Sequence, residues 1–314
     1  MSEKWTAERI PDQSGRVALV TGANSGLGLI TARELARKGA RVVMTARDMD
    51  KGRDALREVE GAASGGGEAE LAELDLASLD SVRSFAEEFK RAHDGFDLLI
   101  NNAGVMAPPH RTTADGFELQ IGTNHLGHFA LTGLLIGSME DRENARVVTV
   151  TSFAHRTGRI NFDDLQSERR YSRWRAYGQS KLANLLFAFE LDRRLRAAGS
   201  AVSSVAAHPG YSATNLQSAA APTLDRIVMA VTNRLLAQNV DMGALPQLYT
   251  ATYPGLEGGT FVGPDGRGEQ RGHPQPNASA SAAARDEETA RRLWEVSEEL
   301  TGVRYEFQAP ATAG

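Results

Sequence analysis

The chain has 314 residues, 41% hydrophobic and 24% charged, with a formal net charge of −5 and no cysteine. This composition is that of a globular protein long enough for one large α/β domain or two small ones. It excludes disulfides, thiolate metal sites and a cysteine nucleophile, and it argues against a general affinity for nucleic acid or anionic membrane. No apolar run reaches the ~20 residues of a membrane span. The charged start Met1–Pro11 lacks a signal-peptide core, so the default expectation is a cytoplasmic protein.

Residues 1–15 read as a polar lead-in, and Arg16–Thr21 as a short buried strand followed at once by Gly22-Ala23-Asn24-Ser25-Gly26-Leu27-Gly28. Leu27 to Lys38 has helical periodicity and stops at Gly39. Arg41–Thr45 predicts a second strand, and Asp48 opens a helix that the glycine-rich stretch 61–67 ends. Glu70–Leu74 alternates as a third strand, and Ser78 caps a helix carrying Val82, Phe85 and Phe89. Asp97–Ile100 is a fourth strand ending in Asn101-Asn102-Ala103-Gly104, and a helix is expected from about Asp115 toward Ser138. Arg146–Ser152 gives a fifth strand, 153–174 a polar loop, and the helix through Tyr177 extends to Arg196. Ala201–Ala206 is a sixth strand running into His208-Pro209-Gly210. Then come a small lobe at 211–240, a helix at 241–252, a short strand at Gly259–Val262 and a loop at Gln275–Ala284. Asp286–Thr301 is a closing amphipathic helix, and the tail 305–314 reads as disordered.

Strands and helices alternate six times, and the strands are short and apolar. That pattern argues one α/β domain, a doubly wound parallel sheet with helices on both faces, with 211–240 as a lid over the substrate. In such sheets ligands sit beyond the carboxyl ends of the strands. The glycine loop, Arg47, Asp75, Asn102-Ala103-Gly104, Ser152 and Pro209-Gly210 all fall at those ends.

Thr21-Gly22-x-x-x-Gly26-x-Gly28 lies between a strand and a helix, the context of a dinucleotide loop. Beyond strand two, a ribose 2′-hydroxyl calls for an acidic residue, but the sequence reads Ala46-Arg47-Asp48. Arg47 suits a 2′-phosphate, whereas Asp48 is more simply the cap of its helix, so NADP is favoured over NAD. Tyr177 and Lys181 are four residues apart on one helix face, where an ammonium would favour the phenolate and lower the tyrosine pKa. By itself this spacing also fits an ordinary surface pair. His125 and His128 sit three apart without a third ligand and read as packing or hydrogen-bonding residues, with no metal expected. The basic, aromatic run Arg169–Arg175 is one short loop, read as a cleft rim with no role for nucleic acid.

Together these residues resemble the short-chain dehydrogenase/reductase family over about residues 14–264. The likeness rests on Thr21–Gly28, Asn101–Gly104, Ser152, Tyr177-x-x-x-Lys181 and His208-Pro209-Gly210. Asn124–Phe129, Asp164–Glu168 and Lys181–Asn184 resemble the retinol dehydrogenase-like branch, although the apolar anchor of that branch's membrane members is missing from this sequence. The resemblance implies a Rossmann-type fold holding NADP(H) and a small carbonyl or alcohol substrate. It also implies that Tyr177 is the acid/base, that Lys181 tunes it and binds the nicotinamide ribose, and that Ser152 binds the substrate oxygen. Asn124 would hold a water connecting Lys181 to solvent. Gly22, Asn24, Ser25, Gly26, Leu27, Gly28, Arg47, Asp75, Leu76, Asn102, Ala103, Gly104, Pro209 and Gly210 would line the cofactor. An epimerase or dehydratase, and an NADP sensor without turnover, are the competing readings. Substrate identity and oligomeric state, a homo-oligomer included, stay open.

Overall fold

The structure is a computed structural model that describes residues 4–140, 142–210 and 239–307. The expected lid at 211–240 lies outside these residues except for its last two positions. Eight described strands form one sheet in the order β3-β2-β1-β4-β5-β6-β7-β8, numbered along the chain. They are β1 Val17–Val20, β2 Arg41–Ala46, β3 Glu68–Glu73, β4 Leu98–Asn101, β5 Arg146–Val150, β6 Ser203–Ala207, β7 Phe261–Pro264 and β8 Pro274–Pro276. All neighbouring pairs are parallel except β7 and β8.

Alternation within the strands decides the layering. Leu19, Val43, Leu99 and Val147 point to one face, into a core with α3 (Leu79–Ala92), α5 (Arg173–Ala197) and α7 (Glu287–Thr301). Ala18, Val20, Val42, Met44, Leu98, Ile100 and Val148 point to the other, against α1 (Gly26–Arg37), α2 (Met49–Ala62) and α6 (Val240–Thr252). Each fully buried Leu, Ile or Val contributes about 1.5–3 kcal/mol, which fixes the register of the central strands. The order reverses at β1 and β4, so the turns after these strands lie side by side and open the crevice where such sheets bind ligands.

Five expectations change. The helix expected from Asp115 begins at Leu119, with Glu118 as its cap, and passes through a π-turn at Gly122–Leu126 before continuing as Gly127–Leu135; these segments together are α4. Asp115 instead accepts the Leu79 backbone N–H at 3.0 Å, helping to cap α3. Within the supposed loop 153–174 lie the tight turns Phe153–Thr157 and Phe162–Asp164, and α5 starts at Arg173. Pro274–Pro276 is an edge strand, a position where prolines leave no ladder donor missing. The lead-in is anchored: Trp5 and Ile10 are buried, Trp5 packs edge-on against Tyr249 at 5.3 Å, and its carbonyl accepts from His273 Nδ1 at 2.9 Å. The tail is ordered at its first residues, since Tyr305 donates to the Phe129 carbonyl at 2.7 Å and packs on Trp294.

Candidate active site

The β1–α1 turn is shaped by glycine. Gly22 and Gly26 have φ of +64° and +59°, in the left-handed region, and a Cβ on Gly28 would come within 2.5 Å of both Asn102 Nδ2 and the Gly22 carbonyl. Ser25 takes the N-cap position of α1 in extended geometry, yet its side chain caps nothing. The first N–H groups of α1 are thereby left for an anion, which suits the pyrophosphate of a dinucleotide. Thr21 fastens this turn to the one after β4, its hydroxyl accepting from the Asn102 and Ala103 N–H groups at 2.9 and 3.0 Å. Asn102 Nδ2 returns a bond to the Thr21 carbonyl at 2.8 Å.

A cleft of about 780 Å³ runs from this turn across the sheet, a size that admits a cofactor with a small substrate. Its walls include Gly22, Asn24, Ser25, Gly26, Leu27 and Gly28. Arg47, Asp75 and Leu76 follow beyond the ends of β2 and β3, then Asn102, Ala103 and Gly104 after β4. Ser152, Tyr177, Lys181, Pro209 and Gly210 close the far end. Every expected site residue except Asn124 therefore meets in one cleft. At its β2 edge Ala46 is buried, and Arg47 is exposed with no hydrogen bond or ion pair among the described residues. Asp48 is the helix cap: it accepts from the Lys51 N–H at 3.2 Å and pairs with Lys51 Nζ at 2.8 Å. Asp75 Oδ1 accepts the Ala77 N–H at 3.0 Å.

Asn124 stands behind the wall. Its amide pairs with Val105 in both directions, accepting from the N–H at 2.7 Å and donating to the carbonyl at 3.0 Å, and it also donates to Ser180 Oγ at 2.9 Å. The π-turn brings it there by bulging α4 toward Gly104 and Val105, and a Cβ on Gly104 would sit 3.0 Å from Asn124 Oδ1. His128 Nδ1 donates to the Asn124 carbonyl at 3.0 Å, so its Nε2 is an acceptor and takes the Thr21 hydroxyl at 2.9 Å. Burial keeps this ring neutral, with a pKa of about 4, and His125, which meets Ser297 Oγ at 2.9 Å, is drawn to about 3 for the same reason.

The electrostatics at Tyr177 run opposite to the expectation from spacing. Burial pushes the phenol up, and the hydrogen bond with Ser152 only partly offsets it. Burial also draws Lys181 down to about 8. Its Nζ lies 5.9 Å from the Tyr177 ring centroid and donates to the Val150 carbonyl at 3.3 Å, so in the protein alone the two side chains share a wall rather than a direct bond. The phenol's upward shift is thus set by burial, with Ser152 as its counterweight.

Trp174, from the run expected at the cleft rim, lines the cleft, and Phe153, Val105, Met106 and Gln270 join it without a signal from spacing. Phe153 and Trp174 are exposed at the mouth, 39% and 55%, and Trp174 stands edge-on to Tyr177 at 6.2 Å. Val105, Met106 and Gln270 complete that end. Behind Gly210, buried Glu269 accepts from His208 Nε2 at 3.1 Å and pairs with Arg156 Nη2 at 2.8 Å. The bond from His208 holds its carboxyl at about 2. A lone glutamate between glycines carries no periodic or motif signal, so sequence alone could not have placed it.

The comparisons with known proteins agree with this geometry. A family model described as short chain dehydrogenase matches residues 16–225. Human retinol dehydrogenase 14 is 42% identical over 92% of this chain and 87% of its own length, and mouse retinol dehydrogenase 11 is 42% identical with the same coverage. A crystal structure of an uncharacterized protein from Mycobacterium paratuberculosis is 49% identical, covers 97% of this chain and 100% of its own, and superposes with a TM-score of 0.81. Another, from Beutenbergia cavernae, is assigned as an NAD(P)-dependent gluconate 5-dehydrogenase with bound NADP. It is 27% identical over 77% of this chain and 92% of its own, with a TM-score of 0.60. With the glycine turn, the Tyr177–Lys181 wall and the reversed strand order in place, the chain belongs to the short-chain dehydrogenase family in its retinol dehydrogenase-like branch, an oxidoreductase of alcohols and carbonyls whose fold binds a nicotinamide cofactor.

Proposed function

We propose that the protein is an NADP(H)-dependent oxidoreductase that interconverts a ketone or aldehyde with its alcohol on a largely apolar small molecule. The observation that carries this reading is the convergence of Ser152, Tyr177 and Lys181 on the cleft that the glycine turn opens. Nicotinamide, when bound, supplies or accepts the hydride, which no side chain can do. Tyr177 gives its phenolic proton to the nascent alkoxide in reduction and removes the hydroxyl proton in oxidation. Ser152, already hydrogen-bonded to the phenol, orients the substrate oxygen against it. Lys181 anchors the ribose next to it and supplies positive charge. Asn124, with its amide committed to Val105 and Ser180, holds the wall behind Lys181 in place.

Arg47 supports NADP: its exposed guanidinium has no ion pair among the described residues, where a buried Ala46 offers a ribose hydroxyl no acceptor. The neighbour from Beutenbergia cavernae, which contains NADP, agrees with that choice. Val105, Met106, Phe153 and Trp174 give the substrate end an apolar, aromatic lining, consistent with the retinol dehydrogenases among the relatives. The test is turnover of the purified protein with NADPH and NADH against a panel of aliphatic and aromatic aldehydes, ketones and alcohols. Binding of NADPH without turnover of any of them would replace the enzyme reading with a sensor.

A further inference from the structure

We infer that Glu269 is a positioning residue whose single carboxylate sets both the cofactor-side turn at Gly210 and the aromatic wall at Phe153. The inference rests on the oxidoreductase reading above and names a part of the site that the family motifs leave unassigned. On the cofactor side, the Gly210 N–H donates to His208 Nδ1 at 3.3 Å. That bond leaves the proton on Nε2, which donates to Glu269 Oε2 at 3.1 Å. Gly210 itself has φ of +68°, and a Cβ there would meet the Gln270 carbonyl at 2.5 Å, so the turn and the segment after Glu269 are in contact.

On the substrate side the same Oε2 takes Arg156 Nη2 at 2.8 Å. Arg156 belongs to the tight turn that Ser152 starts, and its guanidinium lies over the Phe153 ring at 4.2 Å. Oε1 accepts the Ser279 N–H at 2.8 Å, so the carboxylate is held at both oxygens. Glu269 is a buried non-glycine residue at φ of +58°, a conformation that persists only where its surroundings over-determine it. Strain, burial and a carboxylate shared between two cleft loops are independent observations, and all three point to positioning.

A double-substitution cycle tests it, with Glu269→Gln, Arg156→Gln and the pair. The readouts are the substrate KM and kcat on one carbonyl, and the NADPH Kd by nicotinamide fluorescence. Glu269→Gln should raise both the substrate KM and the NADPH Kd by about tenfold, with kcat changing less. Arg156→Gln should raise only the substrate KM, and the pair should add little beyond Glu269→Gln because both act on one contact. A Glu269→Gln protein that melts earlier but keeps KM and Kd within about twofold of wild type would reduce Glu269 to a structural role. If Glu269→Gln does not fold, an unchanged substrate KM in Arg156→Gln overturns the inference instead. Absence of wild-type turnover would sink the oxidoreductase reading alone, and the NADPH titration would still decide whether Glu269 governs the Gly210 turn.

Discussion

At the glycine-turn end of the cleft the working surface is backbone: left-handed Gly22 and Gly26, the uncapped N-terminus of α1, and a close approach at Gly28 that excludes a side chain. At the Tyr177 end it is side chain, and most of it is buried polar chemistry: Asn124, His128, Ser180 and Lys181 are each at most 5% exposed. A backbone site needs only that nothing fills it, so it works as a shape. A buried polar site needs every donor matched, so it works as a network and carries a standing cost in stability. Substitutions at the two ends should therefore fail in different ways.

The largest effect belongs to the network end. Tyr177→Phe should lower kcat by about 10²–10⁴ while NADPH binding is kept, since only the proton donor is lost. Steady-state kinetics and a fluorescence titration check this, and more than about a tenth of wild-type kcat would remove Tyr177 from its role.

Next is a gain. Burial lowers the Lys181 pKa from 10.5 to about 8, so the folded protein binds this proton less tightly than the unfolded chain. The penalty is complete below pH 8 and is relieved as pH rises from there to 10.5. Lys181→Met should thus be inactive yet more stable than wild type at pH 7, by up to about 3 kcal/mol in the cofactor-free protein. That gap should close toward pH 10.5 in paired denaturant titrations. A constant gap across pH would mean that burial of the charge is not its source.

The shape end should behave conversely. Gly28→Ala must displace Asn102 or the Gly22 carbonyl, an overpacking worth about 1–3 kcal/mol that should appear mainly as weaker dinucleotide binding. Equal affinity in wild type and variant would show that the turn has slack. The smallest effect is at Arg47, which is exposed and therefore screened. Arg47→Ala should weaken NADPH by about tenfold and leave NADH nearly unchanged. Adding Ala46→Asp should turn the preference toward NADH. Comparison of kcat/KM for both cofactors decides it, and a wild type that prefers NADH would refute the assignment.

The same division explains what was legible beforehand. The turn after β1, the caps Asp48 and Ser78, and the central strands announce themselves because local physics writes them in adjacent residues: glycine for left-handed φ, a side-chain oxygen at an N-cap, a short apolar run. The π-turn at Gly122–Leu126 could not be read, because one extra residue in a helical ring leaves the apolar periodicity almost intact. Asp115 misled for a related reason: an acidic residue ahead of a helix looks like its cap, while its actual acceptor role is to Leu79 of another helix. The sign of the Tyr177 shift was inaccessible too, since spacing shows a neighbouring charge but not the burial that sets the shift. Glu269 gains meaning only when Arg156, His208 and Ser279 arrive from three separate stretches of chain.

Trp5 has a consequence for how the molecule is completed. Its ring needs Tyr249 and its carbonyl needs His273, so this segment finds its partners far along the chain. Meanwhile β1 and β2 can pair early, and β3 can join them, since those contacts are local in the chain. The lead-in's contacts close far longer loops than these, so it docks after the central sheet has formed. Substitutions at Trp5 should accordingly leave the rate of folding of the central sheet unchanged and speed unfolding, the behaviour of a latch set last.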